Sequence, residues 1–108
     1  MTDERRNQRR VSTSIEVVWE GHSGRYESRT SDLSAGGCFV DTVGLVSLGE
    51  NIKFTLLLPA GESIAIVGNV VYSYPPVGFG VQFTNVSEAD REKIDRIIEA
   101  AASQEDQN

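Results

Sequence analysis

Residues 11–20 read VSTSIEVVWE, and this stretch determines the class of fold. Every second position carries an apolar or β-branched side chain; these positions are Val11, Thr13, Ile15, Val17 and Trp19. A period of two in such residues predicts a β-strand with one buried face. The next four residues, GHSG, are turn formers, so residues 25–31 are predicted to return as the second strand of a hairpin.

The same signals continue to residue 83. After a break at residues 32–37, strands are predicted over residues 38–41, 51–58, 63–72 and 79–83, with glycine- and proline-containing turns between the later ones. In the fifth strand, Tyr72 is predicted to share a face with Ile64, Ile66 and Val70. Gly68, in the middle of that strand, indicates a bend or a close approach of another backbone.

Helical periodicity begins only near Ser87, which is a predicted N-cap. A single apolar stripe follows, formed by Ile94, Ile97, Ile98 and Ala101. The predicted fold is therefore all-β with one C-terminal helix: a six-stranded antiparallel β-barrel with the helix packed against it. We expect a flexible Arg-rich arm over residues 1–10, the barrel and helix over residues 11–102, and a disordered tail over residues 103–108.

Composition limits the possible functions. The 108 residues contain ten Lys and Arg against sixteen Asp and Glu, a net charge of −6, and suit one globular domain. No apolar run is long enough to span a membrane and the first ten residues do not form a signal peptide, so we expect a cytoplasmic protein. The single cysteine, Cys38, has no disulfide partner and no companions for a zinc site. With no acid–base pair, phosphate loop or metal cluster in the sequence, we expect no enzyme activity and no cofactor.

Four of the ten cations are gathered within six residues, as Arg5, Arg6, Arg9 and Arg10. Arg6 and Arg10 are four residues apart, an interval that returns side chains to about the same side of a helical turn or extended arm. Two guanidinium groups facing one way suit a ligand with several acceptors, such as phosphate or the O6 and N7 edge of guanine. The alternative is an exposed arm whose charges serve only solubility.

A second motif, DLSAGG, occupies residues 32–37. Asp32 and Ser34 are two apart, so on an extended segment both side chains point the same way. The carboxylate can accept hydrogen bonds from guanine N1 and N2, while Ser34 and the backbone amides at Gly36 and Gly37 hold a neighbouring acceptor. The alternative is a turn in which Asp and Ser satisfy their own backbone and the glycines adopt positive φ.

With both motifs present, the chain resembles PilZ domains, bacterial receptors for cyclic di-GMP whose signature is RxxxR followed by (D/N)xSxxG. The resemblance extends over about residues 4–100, including GNVVY, GFGVQF and the closing helix. It implies that Arg6 and Arg10 grip phosphate and guanine, and that the other side of the ligand is held by Asp32, Ser34 and Gly37.

Two further contacts are expected from the resemblance. Arg5 is an expected extra contact, since a second arginine often precedes the motif in such proteins. Tyr72 occupies a place where similar domains often carry an aromatic residue, commonly Trp, that can stack on guanine or support an arginine. A tyrosine that only anchors the barrel rim is the alternative.

The leading hypothesis is a cyclic di-GMP receptor in which the ligand bridges the arm to Asp32 and changes the surface offered to an unidentified downstream protein. One alternative is a barrel that binds single-stranded nucleic acid, although the net charge of −6 and the lack of a basic stripe along the strands disfavour it. Another is an interaction module of PilZ type without a nucleotide role. We expect no nucleic-acid polymer as partner and no insertion into a membrane.

Overall fold

The computed structural model describes residues 9–106. Its elements, in chain order, are strands β1 (Val11–Ser12), β2 (Glu16–Gly21), β3 (Gly24–Ser34), β4 (Gly37–Asp41), β5 (Asn51–Leu57), β6 (Ser63–Tyr74) and β7 (Gly78–Thr84), followed by helix α1 (Glu88–Asp106). A short 3₁₀ turn, Pro59–Gly61, connects β5 to β6.

The strands form one antiparallel sheet that closes on itself. Around the sheet, β3, β2, β5, β6, β7 and β4 follow one another, and pairing of β4 with β3 completes a six-stranded barrel. The additional strand β1 pairs with the end of β3, with Val11 opposite Leu33 and Ser12 opposite Asp32. The predicted all-β barrel with a C-terminal helix is confirmed.

The core fills the barrel with the inward side chains that the alternation predicted. Trp19 is fully buried, stacks on Tyr26 with ring centroids 4.5 Å apart and meets Phe79 edge-to-face at 5.0 Å. In the loop between β4 and β5, Gly44 lies against the same indole, since a Cβ added at Gly44 would come within 2.6 Å of the ring. This end of the barrel is therefore closed by the indole and the loop.

Helix α1 packs on β1 and β3. Its N-cap is Ser87, as predicted, because the Ser87 hydroxyl accepts a hydrogen bond from the Asp90 amide at 3.1 Å. Its most deeply buried side chains are Ile94, Ile98 and Ala102. The helix extends to Asp106, so residues 103–106 continue it where a tail was expected; no glycine or proline follows to end it.

Three details differ from the prediction because strand irregularities depend on pairing partners. The strand predicted over residues 11–20 is interrupted between β1 and β2, and β3 continues to Ser34, so the DLS triplet lies on a strand. A bulge between Val70 and Tyr72 leaves Val71 and Tyr72 both exposed, so the prediction that Tyr72 shares the buried face of Val70 is wrong.

The close approach predicted at Gly68 is confirmed: an added Cβ would lie 2.7 Å from the carbonyl oxygen of Gln82.

Candidate functional site

Arg10 and Asp32 meet on the barrel surface. Arg10 directly precedes β1, and the pairing of Ser12 with Asp32 brings the end of the arm alongside β3. Arg10 Nη1 donates a hydrogen bond to Asp32 Oδ1 at 2.5 Å, and the two side chains are 46% and 28% exposed. The structure therefore joins one arginine of the first motif to the carboxylate of the second.

The Asp32 carboxylate also has a structural role. Its Oδ1 accepts a hydrogen bond from the Phe39 amide on β4 at 3.1 Å. This bond lies beside a bulge in β3, where the register against β4 shifts between Thr30 and Asp32. The carboxylate is thus held in place from two sides, by a backbone amide and by a guanidinium group.

Next to this pair is an open cavity of about 320 Å³, lined by Arg10, Ser34, Gly36, Gly37, Val71, Val81 and Gln82. Ser34 is buried, and its hydroxyl donates to the carbonyl oxygen of Gly37 at 3.3 Å. The arm and the β3–β4 turn supply the polar lining, while β6 and β7 supply two valines and a glutamine. Such a lining combines a cation and exposed backbone with an apolar floor, which suits a flat, polar, anionic ligand.

Larger open depressions lie elsewhere. One, of about 450 Å³, is on the outer face of β2, β5 and β6, a second, of about 480 Å³, lies between α1 and the ends of β1 and β5, and a third, of about 340 Å³, lies on β2 and β3. None of these three is lined by a residue of the two motifs. The smaller cavity is the candidate site because of its chemistry.

The two glycines of the second motif have different roles. A Cβ added at Gly37 would lie 2.2 Å from the carbonyl oxygen of Val81, so no side chain fits there. A Cβ at Gly36 would meet nothing within 4 Å. Neither residue has positive φ, so the turn alternative is wrong about the glycines. It is confirmed for Asp32 and Ser34, which both bond to nearby backbone groups. Gly37 lets β4 approach β7, and Gly36 leaves the cavity open.

Tyr72 lies beside the cavity without lining it. Its ring covers Gly80 and neighbours Phe39 and Tyr74, with centroid distances of 5.9 and 5.5 Å. Val71 lines the cavity instead, because the bulge in β6 turns both residues outward. The alternation does not predict Val71 as a lining residue, because it does not reveal the bulge. It does not predict Val81 and Gln82 either, because they reach the cavity through the pairing of β7 with β4.

Arg5 and Arg6 are the remaining predicted site residues; His22 and Cys38 are not predicted to belong to the site. Arg5 and Arg6 lie outside the described residues, and their roles stay predictions. His22 is a turn residue whose amide donates to Glu50 Oε2 at 2.6 Å. Cys38 is buried, and burial together with the Asp32 carboxylate raises the pKa of its thiol to about 12, which marks a packed and unreactive side chain.

Two other kinds of feature are absent from the described residues. Within residues 9–106, no three His, Cys, Asp or Glu side chains are grouped as metal ligands would be. No helix in that part of the chain combines the length and apolar character that a transmembrane span requires.

Comparison with known proteins gives a family match and a set of structural neighbours. The family model described as PilZ domain matches residues 4–100. No curated protein matches the chain. Among solved structures, the PilZ domain of Escherichia coli YcgR with c-di-GMP has a TM-score of 0.72 and 16% identity, covering 93% of each chain.

Two longer proteins contain a similar fold. The inhibitor of motility MotI/DgrA of Bacillus subtilis gives a TM-score of 0.76 at 16% identity, covering 88% of this chain and 50% of that one. The MrkH–c-di-GMP complex of K. pneumonia gives 0.76 at 18% identity, covering 92% and 53%. The present chain thus spans about half the length of these two proteins.

Proposed function

Because the chain belongs to the PilZ domain family, we propose that it binds cyclic di-GMP at the Arg10–Asp32 cavity and that binding changes the surface offered to a downstream protein. The observation that supports this most strongly is the convergence of Arg10, Asp32, Ser34 and Gly36 from two separate motifs on one edge of the barrel. The YcgR and MrkH structures, which carry c-di-GMP on a similar fold, add support.

Each group at the site has chemistry that suits a guanine dinucleotide. The Arg10 guanidinium binds a phosphate or the O6 and N7 edge of a guanine. Asp32 Oδ1 already accepts from Arg10 and Phe39, and Oδ2 accepts from guanine N1 or N2. The apolar floor formed by Val71 and Val81 accommodates the face of a base.

The arm completes the site in this proposal. Arg5 and Arg6 bind the phosphates from the side opposite Asp32, and Tyr72, adjacent to Val71, stacks on an exposed base. The bound ligand then adds its charge and shape beside β1, so the surface there differs between the free and bound chain. A downstream protein distinguishes the two forms by binding to this surface.

A competition experiment tests the proposal. Fluorescently labelled cyclic di-GMP is bound to the chain, and anisotropy follows its displacement by unlabelled cyclic di-GMP, by the linear dinucleotide pGpG and by single-stranded oligonucleotides of increasing length. Displacement by cyclic di-GMP, with pGpG much weaker and oligonucleotides ineffective, is the expected result. Displacement that strengthens with oligonucleotide length and weakens steeply with salt would instead indicate a nucleic-acid-binding barrel.

A further inference from the structure

We infer that Thr30 is a positioning residue for this site: its buried hydroxyl fixes the register shift between β1 and β2 that brings the Arg10 side chain to Asp32. The inference rests on the proposed function for its consequence in ligand binding. Thr30 lies on β3, two residues before Asp32, and is 1% exposed, so its hydroxyl is a buried polar group that requires partners.

Both partners of this hydroxyl belong to the segment that joins β1 to β2. Thr30 Oγ1 donates to the carbonyl oxygen of Thr13 at 2.7 Å and accepts from the amide of Ile15 at 3.1 Å. The Thr30 amide in turn donates to the Ile15 carbonyl at 2.9 Å. In a regular antiparallel pair a backbone carbonyl would accept from Ile15, so the hydroxyl takes the place of one ladder acceptor.

These bonds hold the point where the strand register changes. On one side Glu16 pairs with Arg29, and on the other Ser12 pairs with Asp32, so three intervening residues of one segment lie opposite two of the other. The Thr30 hydroxyl bridges the backbone on both sides of Ser14. It therefore determines how β1, and Arg10 immediately before it, continues along β3.

The bulge at Ser31 also sets the direction in which the Asp32 side chain points. Thr30 and Leu33 are both buried, whereas Ser31 is exposed and the Asp32 side chain is 28% exposed. Regular alternation after an inward Thr30 would turn Asp32 inward as well. The bulge at Ser31 changes the phase, and Asp32 faces the surface, where it meets Arg10.

Arg29 also contacts the junction, the segment between β1 and β2, from its exposed side. Its Nε donates to the Ser14 hydroxyl at 2.6 Å, and its Nη2 donates to the Ser14 carbonyl at 3.3 Å. Arg29 is exposed, however, and its bonds compete with water, while the Thr30 bonds are shielded. The Thr13 amide also donates to the Ser31 carbonyl at 3.2 Å, and Thr30 is the buried side chain that joins both sides of Ser14 to β3.

Three variants test this inference. Thr30→Val keeps the shape and removes both hydroxyl bonds, Thr30→Ser keeps the hydroxyl, and Ile52→Val perturbs the buried core on β5, away from the cavity lining. Calorimetric titration with cyclic di-GMP gives the affinity of each. Amide hydrogen exchange of Thr13 and Ile15, compared with amides in β5 and β6, reports the junction independently of ligand.

We expect Thr30→Val to bind at least about tenfold more weakly and to exchange the Thr13 and Ile15 amides at least about tenfold faster, with β5 and β6 unchanged. Thr30→Ser should stay within about threefold of the parent in both measurements, and Ile52→Val should leave both unaffected. Parent-like exchange at Thr13 and Ile15 in a folded Thr30→Val chain would overturn the inference, as would parent-like affinity.

The two proposals fail separately. If the parent chain takes up no cyclic di-GMP, the proposed function is wrong, and the amide exchange of Thr30→Val still decides whether the hydroxyl fixes the junction. If the parent binds and Thr30→Val binds equally well, the proposed function stands and Thr30 is not a positioning residue.

Discussion

Arg10 and Asp32 are 22 residues apart in the chain, yet Arg10 Nη1 lies 2.5 Å from Asp32 Oδ1. Both side chains are partly exposed, and ion pairs of this kind typically contribute no more than about 1 kcal/mol to stability. The value of the pair therefore lies in its geometry. It places a guanidinium donor and a carboxylate acceptor side by side. The donor suits the O6 and N7 edge of a guanine, and the acceptor suits its N1 and N2 donors.

Asp32 should tolerate the loss of one carboxylate oxygen better than the loss of both. Asp32→Asn keeps one oxygen, for the Phe39 amide or for a guanine donor, and turns its NH2 group toward the other donor, so we expect affinity for cyclic di-GMP to fall by about threefold to tenfold. Asp32→Ala removes every acceptor and should weaken binding by roughly tenfold to a hundredfold. Calorimetric titration measures both, and equal losses in the two variants would refute this reading of the carboxylate.

The two adjacent glycines should respond differently to alanine. Gly37→Ala places a methyl group against the Val81 carbonyl and should lower the free energy of unfolding by about 1–3 kcal/mol. Gly36→Ala meets open space, so its stability should change by less than about 0.5 kcal/mol. Urea denaturation measures both.

Gly36→Ala should instead affect the affinity for the ligand. Gly36 lines the cavity, so we expect the methyl group of Gly36→Ala to weaken cyclic di-GMP binding by roughly tenfold. Unchanged affinity in this variant would mean that the ligand does not approach the main chain there.

Tyr72 should contribute to binding through its ring. We expect Tyr72→Ala to weaken affinity for cyclic di-GMP by roughly fivefold to tenfold, since stacking of one base on an aromatic side chain contributes about 1 kcal/mol or more. Tyr74, the next outward aromatic on β6, provides the matched control, and Tyr74→Ala should bind like the parent. If the two variants behave alike in titration, Tyr72 only covers Gly80.

Cys38 should make stability depend on alkaline pH. The folded chain raises the pKa of this thiol from 9.0 to about 12, so above pH 9 the unfolded chain loses a proton that the folded chain keeps. The free energy of unfolding should therefore fall between pH 9 and 12, by up to about 1.4 kcal/mol per pH unit. Urea denaturation at pH 8 and pH 10 should show a decrease about 1 kcal/mol larger in the parent than in Cys38→Ala. A decrease of the same size in both chains would contradict the assignment.

The barrel could be predicted from sequence because its signals are local. Alternation through residues 11–20 identified the inward side chains of β1 and β2, and Ser87 identified the start of the helix. Glycine also carried information at Gly68, where the close approach of β7 excludes a side chain. Each of these features is signalled by a residue type or a pattern within a short stretch of sequence.

The details of the site could not be predicted because they depend on bulges. Beside the register shift at Ser31, the Thr30 hydroxyl accepts a hydrogen bond from the amide of Ile15, fifteen residues earlier. Nothing in the local sequence pattern signals this bond. The shift before Tyr72 likewise exchanges Tyr72 for Val71 in the cavity lining. The motifs predicted Ser34, Gly36 and Gly37 together with Arg10, and strand pairing determined which other residues line the cavity beside them.

The most direct test of the central claim is isothermal titration calorimetry of cyclic di-GMP into the parent chain, Arg10→Ala and Arg91→Ala. The last variant removes an exposed cation on α1, remote from the cavity lining, and controls for net charge. We predict saturable binding to the parent, an unchanged affinity in Arg91→Ala and a loss of roughly tenfold to a hundredfold in Arg10→Ala. Absence of heat in the parent, or equal affinity in all three chains, would contradict the proposed receptor site.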